Sequence, residues 1–142
     1  MRDVSQILQR KGRQVVSVAQ GAPVLEAIRQ MAEHHIGAVL VMDGPRLVGI
    51  ASERDYARKV ILQGRSSADT PVGAIMSAPV TCVGPRESVS RCMAIMTERH
   101  IRHLPVVEDE QVVGIVSIGD LVKDVIADQQ QEIGFLQQFI AS

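Results

Sequence analysis

Gly49-Ile50-Ala51-Ser52-Glu53-Arg54-Asp55 and Gly114-Ile115-Val116-Ser117-Ile118-Gly119-Asp120 are two versions of one heptapeptide, 65 positions apart. Each runs from an apolar, β-branched stretch into a helical pattern, with serine at the changeover and aspartate three residues later. Glycine at the head of each version lets the backbone approach a neighbour closely. Serine followed at this spacing by an acid is close to a capping box, so both motifs can serve as helix caps. The same geometry also suits a ligand. The free N–H groups and serine hydroxyl of a helix start attract anions such as phosphate. An ionised aspartate only accepts hydrogen bonds, which fits the vicinal hydroxyls of a ribose rather than a phosphate.

Working outward from the heptapeptides, the similarity continues in both directions. Residues 15–61 fall on 80–126 at the same shift without a gap, with 15 of 47 pairs identical. Unrelated segments of this composition match at about 3 or 4 positions. Val24, Ala27, Ile28 and Met31 form a helical stripe, and Val89, Cys92, Met93 and Met96 form its counterpart. Val15–Val18 and Val80–Val83 read as short strands. Ala38–Met42 with Leu47–Ala51, and Leu104–Val107 with Val112–Val116, read as hairpins turning at Asp43-Gly44-Pro45 and Glu108-Asp109-Glu110. A final helix follows each hairpin.

The expected fold is therefore α/β (α+β). It has two pseudo-symmetric repeats, each strand-helix-strand-strand-helix, packed sheet against sheet because one such unit buries too little surface alone. The expected boundaries are an N-terminal amphipathic helix at 1–14, repeats at 15–62 and 77–127, a linker at 63–76 and a C-terminal helix extension at 128–142. Gln63–Pro71 reads as a solvated link and Val72–Met76 as a short helical turn. Val4, Ile7 and Leu8 form the stripe of the first helix. Arg10 and Lys11 read as cations at its end, with Gly12 as the stop. The last helix carries Ile133, Leu136 and Ile140, a stripe that needs cover from its own domain or a second subunit.

Composition narrows the function. The 142 residues are 46% hydrophobic but 2% aromatic, so the core is aliphatic, and the net charge of −1 gives no electrostatic reason to bind nucleic acid. Cys82 and Cys92 lack metal-ligand spacing and read as small buried hydrophobes of a reducing compartment. No apolar run reaches membrane-spanning length and no secretion signal is visible, so the expectation is a cytoplasmic protein without membrane or metal. No nucleophile-base arrangement and no Walker-type phosphate loop point to an enzyme.

The two heptapeptides, with Ile101-Arg102-His103-Leu104-Pro105-Val106-Val107 and Met76-Ser77-x-Pro79-Val80-x-x-Val83, resemble a tandem pair of CBS domains, a Bateman module. The likeness covers about residues 15–127, and Ser52-Glu53-Arg54-Asp55-Tyr56 is similar to bacterial stand-alone CBS pairs. The resemblance implies two clefts between the repeats that take AMP, ADP, ATP, NAD(H) or, less readily, S-adenosylmethionine. It also implies a homodimer that signals to a separate, unknown regulated protein. By motif, Asp55 and Asp120 would hold ribose, Ser52 and Ser117 would approach ribose or phosphate, and Arg102 and His103 would meet phosphate. Arg54 and Lys59 join the expected nucleotide contacts, as do Val16 and Thr81 near the family's adenine pocket and Ala38, the counterpart of His103. Gly37 and Ala38 carry no charge where the second repeat has Arg102 and His103, and Gly119 replaces Arg54, so the clefts should be unequal. A ligand-independent dimerisation scaffold, in which the motifs only cap helices, is the alternative.

Overall fold

The computed structural model describes residues 2–141. The chain opens with helix α1 (Val4–Lys11), followed by β1 (Ser17–Ala19), α2 (Val24–His34), β2 (Ala38–Asp43) and β3 (Arg46–Ser52). The short helix α3 (Glu53–Tyr56) runs into a π-helical turn over Ala57–Ile61, and a 3-10 turn follows at Val72–Ala74. The second half contains α4 (Val89–Arg99), β4 (His103–Glu108), β5 (Gln111–Ser117) and α5 (Ile118–Ala141).

The two halves are built alike. In the first, β1 lies parallel to β2, and β2 pairs antiparallel with β3 so that Ala38 faces Ser52. In the second, β4 pairs with β5 so that His103 faces Ser117. Each helix preceding a hairpin buries one stripe: Val24, Ala27 and Met31 on α2, and Val89, Cys92 and Met96 on α4. Both end on a histidine in the left-handed region, His35 and His100, whose N–H closes the last turn onto Met31 and Met96.

Val80–Val83 does not form the expected strand. It makes a single parallel bridge, Val83 to Val106. In the first half, the Leu40 N–H donates to the Val16 carbonyl at 3.1 Å and extends the ladder. The equivalent of Leu40 is Pro105, which has no N–H to give Thr81. Cys82 lies exposed, as does its counterpart Ser17 in β1, correcting the expectation that it is buried. Cys92 is buried as expected, and burial, aided by the Glu87 charge, pushes its thiol up to about 11.

There are two aliphatic cores. Val18, Val24, Val39, Val41, Ala51 and Val60 form the first, and the connector contributes to it: Val72 and Ile75 are buried there. The connector is thus more than a solvated link, since Thr70 is buried and its carbonyl accepts from the Val24 N–H at 2.8 Å. The second core contains Leu104, Val106, Val116 and Leu121, and into it α1 inserts Val4, Ile7 and Leu8. The N-terminal helix therefore packs on the far half of the chain. Leu8 presses on the Gly114 backbone, where a Cβ would lie 2.7 Å from Leu8 Cδ2. Met76 sits in the same way against Gly49. The glycine heading each heptapeptide is explained by this approach.

Candidate functional site

Two clefts lie where the halves meet, and each takes residues from both. The first, about 490 Å³, is lined by Ser52, Arg54, Asp55 and Arg58 from one half and by Thr81, Arg102 and His103 from the other. The second, about 360 Å³, is lined by Ser117 and Asp120 with Val16, Gly37 and Ala38, and also by Lys11. Both fall in the size range of small-molecule sites. His103 and Gly37 border both clefts. The pairing of Ala38 with Ser52, and of His103 with Ser117, brings these residues to the shared seam.

Both capping readings are realised. Asp55 Oδ2 accepts from the Ser52 N–H at 3.0 Å and from the Ser52 hydroxyl at 3.0 Å, while Ser52 Oγ accepts from the Asp55 N–H at 3.1 Å. Asp120 Oδ2 accepts from the Ser117 N–H at 2.8 Å, and Ser117 Oγ accepts from the Asp120 N–H at 3.2 Å. The aspartate side chains are only 14% and 17% exposed, so capping holds each carboxylate against a cleft wall rather than in bulk water.

The cationic groups around the two carboxylates differ. Lys59 Nζ lies 3.1 Å from Asp55 Oδ1 and donates to the Ile75 carbonyl at 3.0 Å. It braces Asp55 and is not among the residues that line the first cleft. Asp120 is met instead by Lys11 Nζ, 2.7 Å from Oδ2, and Lys11 also donates to the Ile115 carbonyl at 2.8 Å. Where the first half has Lys59 the second has Asp124, with the opposite charge. Asp124 is buried and binds Arg10 at 2.6 Å and Arg2 at 3.3 Å, so it ties α1 down at both ends.

These charges act on the titrating groups. Burial works against ionisation of Asp120, but hydrogen bonds from Lys11 and Ser117 and the Lys11 charge hold its carboxyl below the ordinary value. His103 is pushed down by burial and by Lys11 and Arg102, against a smaller opposing pull from Asp120, so its neutral form is favoured. Among the described residues, Arg54, Arg58 and Arg102 form no ion pair with a carboxylate. The first cleft thus carries three guanidinium groups without an ion-pair partner, alongside the Glu53 carboxylate, whereas the second carries a lysine already bound to its aspartate.

The CBS-domain family model matches residues 4–61 and again 72–127. The chain belongs to the CBS-domain family. It is a CBS pair with the mixed α and β architecture of that family, and its N-terminal helix lies inside the first matched segment. Its relatives include the "CBS domain-containing protein CBSX3, mitochondrial" of Arabidopsis thaliana, 42% identical over 122 residues. The match covers 82% of this chain, which spans 59% of that relative's length. A solved protein with CBS domains from Burkholderia ambifaria is 52% identical, with a TM-score of 0.87, covering 90% of this chain and 96% of that one. A CBS domain protein from Pyrobaculum aerophilum, solved in complex with AMP, is 28% identical with a TM-score of 0.74, covering 84% and 89%.

Of the residues singled out from the sequence, Ser52, Arg54, Asp55, Thr81, Arg102 and His103 meet in the first cleft. Val16, Ala38, Ser117 and Asp120 meet in the second, again with His103. Arg58 and His100 also border the first cleft. Lys11 was missed as a cleft residue. Its signal was a second, shorter similarity: Val4-x-x-Ile7-Leu8 matches Val72-x-x-Ile75-Met76 at an offset of 68, three more than the main repeat.

Proposed function

We propose that this CBS pair is a regulatory module that binds an adenine nucleotide, AMP, ADP, ATP or NAD(H), in the cleft containing Asp55, and reports occupancy to a separate protein. The observation that carries the reading is the combination of groups in that cleft. Ser52 and Lys59 take three of the four acceptor directions of the Asp55 carboxylate. One lone pair on Asp55 Oδ1 and one on Ser52 Oγ remain, two neighbouring acceptors for two ribose hydroxyls. Arg54, Arg58 and Arg102 then offer charge-assisted, bidentate donors to a phosphate. Pro79, Val80 and Thr81 line the same cleft and offer adenine a wall.

The AMP complex of the Pyrobaculum relative supports this choice of ligand. Binding across the two halves favours one relative orientation of them, and that orientation is what a partner would read. Nothing in this scheme calls for catalysis. The exposed apolar residues of α5 favour a further element of the reading, association of two chains through that helix.

Thermal melting in AMP, ADP, ATP, NAD, NADH and S-adenosylmethionine tests the proposal. A ligand at a hundredfold excess over its Kd stabilises the fold by about 2.7 kcal/mol. At least one adenine nucleotide should raise the melting temperature clearly. Flat melts throughout at millimolar ligand would overturn the reading in favour of a scaffold whose heptapeptides only cap helices.

A further inference from the structure

The two clefts have the same serine–aspartate frame, but the lysine on the first carboxylate, Lys59, lies outside the cleft lining, whereas the lysine on the second, Lys11, comes from α1 and lines the cleft. We propose that Lys11 is an intramolecular stand-in for a ligand: it occupies the hydrogen-bonding positions at Asp120 and Ile115, and makes the second cleft a latent nucleoside site that opens only when Lys11 withdraws. This proposal rests on the adenine-nucleotide reading of the first cleft.

The pseudo-symmetry gives the argument. In the first half, the Ile50 carbonyl accepts from the Ser77 backbone N–H at 2.8 Å. The equivalent carbonyl in the second half, on Ile115, accepts from Lys11 Nζ at the same distance. The 3-10 turn ends at Ala74, and directly after Met76, Ser77 forms that backbone bridge, whereas after Leu8 the helix runs on for three residues. Gly12, at φ 98°, then ends it. The side chain of the last helical residue thereby takes over a role that a backbone group fills in the other half, and it carries a charge into the cleft.

Lys11 is also held in place. Val4, Ile7 and Leu8 are buried in the second core, and Arg2 and Arg10 grip Asp124. The Lys11 side chain is 34% exposed, and two hydrogen bonds fix its ammonium on Asp120 and Ile115. Lys11 holds Asp120 Oδ2 and lines the cleft, so a ribose on Asp120 Oδ1 and Ser117 Oγ has to share the cleft with the ammonium, and the lining offers a displaced ammonium no second carboxylate. Losing a hydrogen bond between charged partners costs about a factor of ten in affinity or more. The first cleft bears no such cost, because Lys59 approaches Asp55 without lining the cleft.

The test isolates the second cleft. Titration calorimetry with AMP is run on the full chain, on Asp55→Asn, and on Asp55→Asn combined with Lys11→Ala, with circular dichroism to verify folding. The wild-type chain should bind one AMP tightly, and Asp55→Asn should bind it at least tenfold more weakly. The double variant should recover at least tenfold over Asp55→Asn, through Asp120. If the wild-type chain binds AMP but the double variant is no better than Asp55→Asn, Lys11 is not a stand-in and the proposal is overturned. Two equally tight sites in the wild-type chain would overturn it as well. No binding by the wild-type chain would instead defeat the parent reading, so the two failures are distinguishable.

Discussion

The attachment of α1 to the second half can be tested by taking apart the Arg2–Asp124–Arg10 cluster. The Asp124 side chain is 3% exposed, while those of Arg2 and Arg10 are 31% and 53% exposed. Removing Arg10 leaves Asp124 with Arg2 at 3.3 Å, so Arg10→Ala should cost about 1 kcal/mol, the upper range for a partly exposed pair. Arg2→Ala should cost a similar amount, because Arg10 remains at 2.6 Å. Removing both strands a buried carboxylate without a cation, a change worth about 3–5 kcal/mol. The double variant should therefore exceed the sum of the singles by about 1–3 kcal/mol. Urea unfolding of the four proteins gives the cycle, provided the m-value stays constant. Costs that add to within about 0.5 kcal/mol would show that the two arginines do not share Asp124, and would refute the docking of α1 described here.

Two further predictions concern pH and assembly. His103 has its folded-state pKa pulled below the ordinary value, so its contribution to stability is complete above about pH 6.5 and is lost as pH falls through the lowered value. The ligand-free melting temperature should therefore drop between pH 7.5 and 5.5, less steeply in His103→Gln; equal slopes would contradict this assignment. Light scattering should give twice the chain mass for the intact protein and the single-chain mass once Ile133, Leu136 and Ile140 are replaced by serine. A monomeric intact chain would dismiss α5 as an association surface.

Much of the architecture was legible because the repeat is ungapped where burial is strongest. Val41/Val106, Gly49/Gly114 and Ser52/Ser117 are identical because each occupies the same packed or hydrogen-bonded environment in its half. The heptapeptides indicated both clefts, and the unequal charges at Arg54, Arg102 and His103 indicated that the clefts differ. What escaped were features that break the period. Helix α1 is offset by three residues from the main shift and shares only Val4/Val72 and Ile7/Ile75 by identity, so its place in the second core was hidden. With it went Lys11, whose position at a helix end has a sufficient local explanation. The missing strand at Val80–Val83 follows from one absent N–H, on Pro105, in a distant segment. Lys59 and Asp124 occupy equivalent positions with opposite charges, and only the spatial arrangement reveals that each neutralises a different partner.

Nucleotide binding in the first cleft depends on the Asp55 carboxylate and the Ser52 hydroxyl receiving the two hydroxyls of a ribose. Calorimetric comparison of AMP with 2′-deoxy-AMP, on the wild-type chain and on Asp55→Asn, measures that contact directly. The wild-type chain should prefer AMP at least tenfold, and the substitution should largely abolish that preference. Equal affinity for the two nucleotides in the wild-type chain, or a preference that survives Asp55→Asn unchanged, would contradict that dependence.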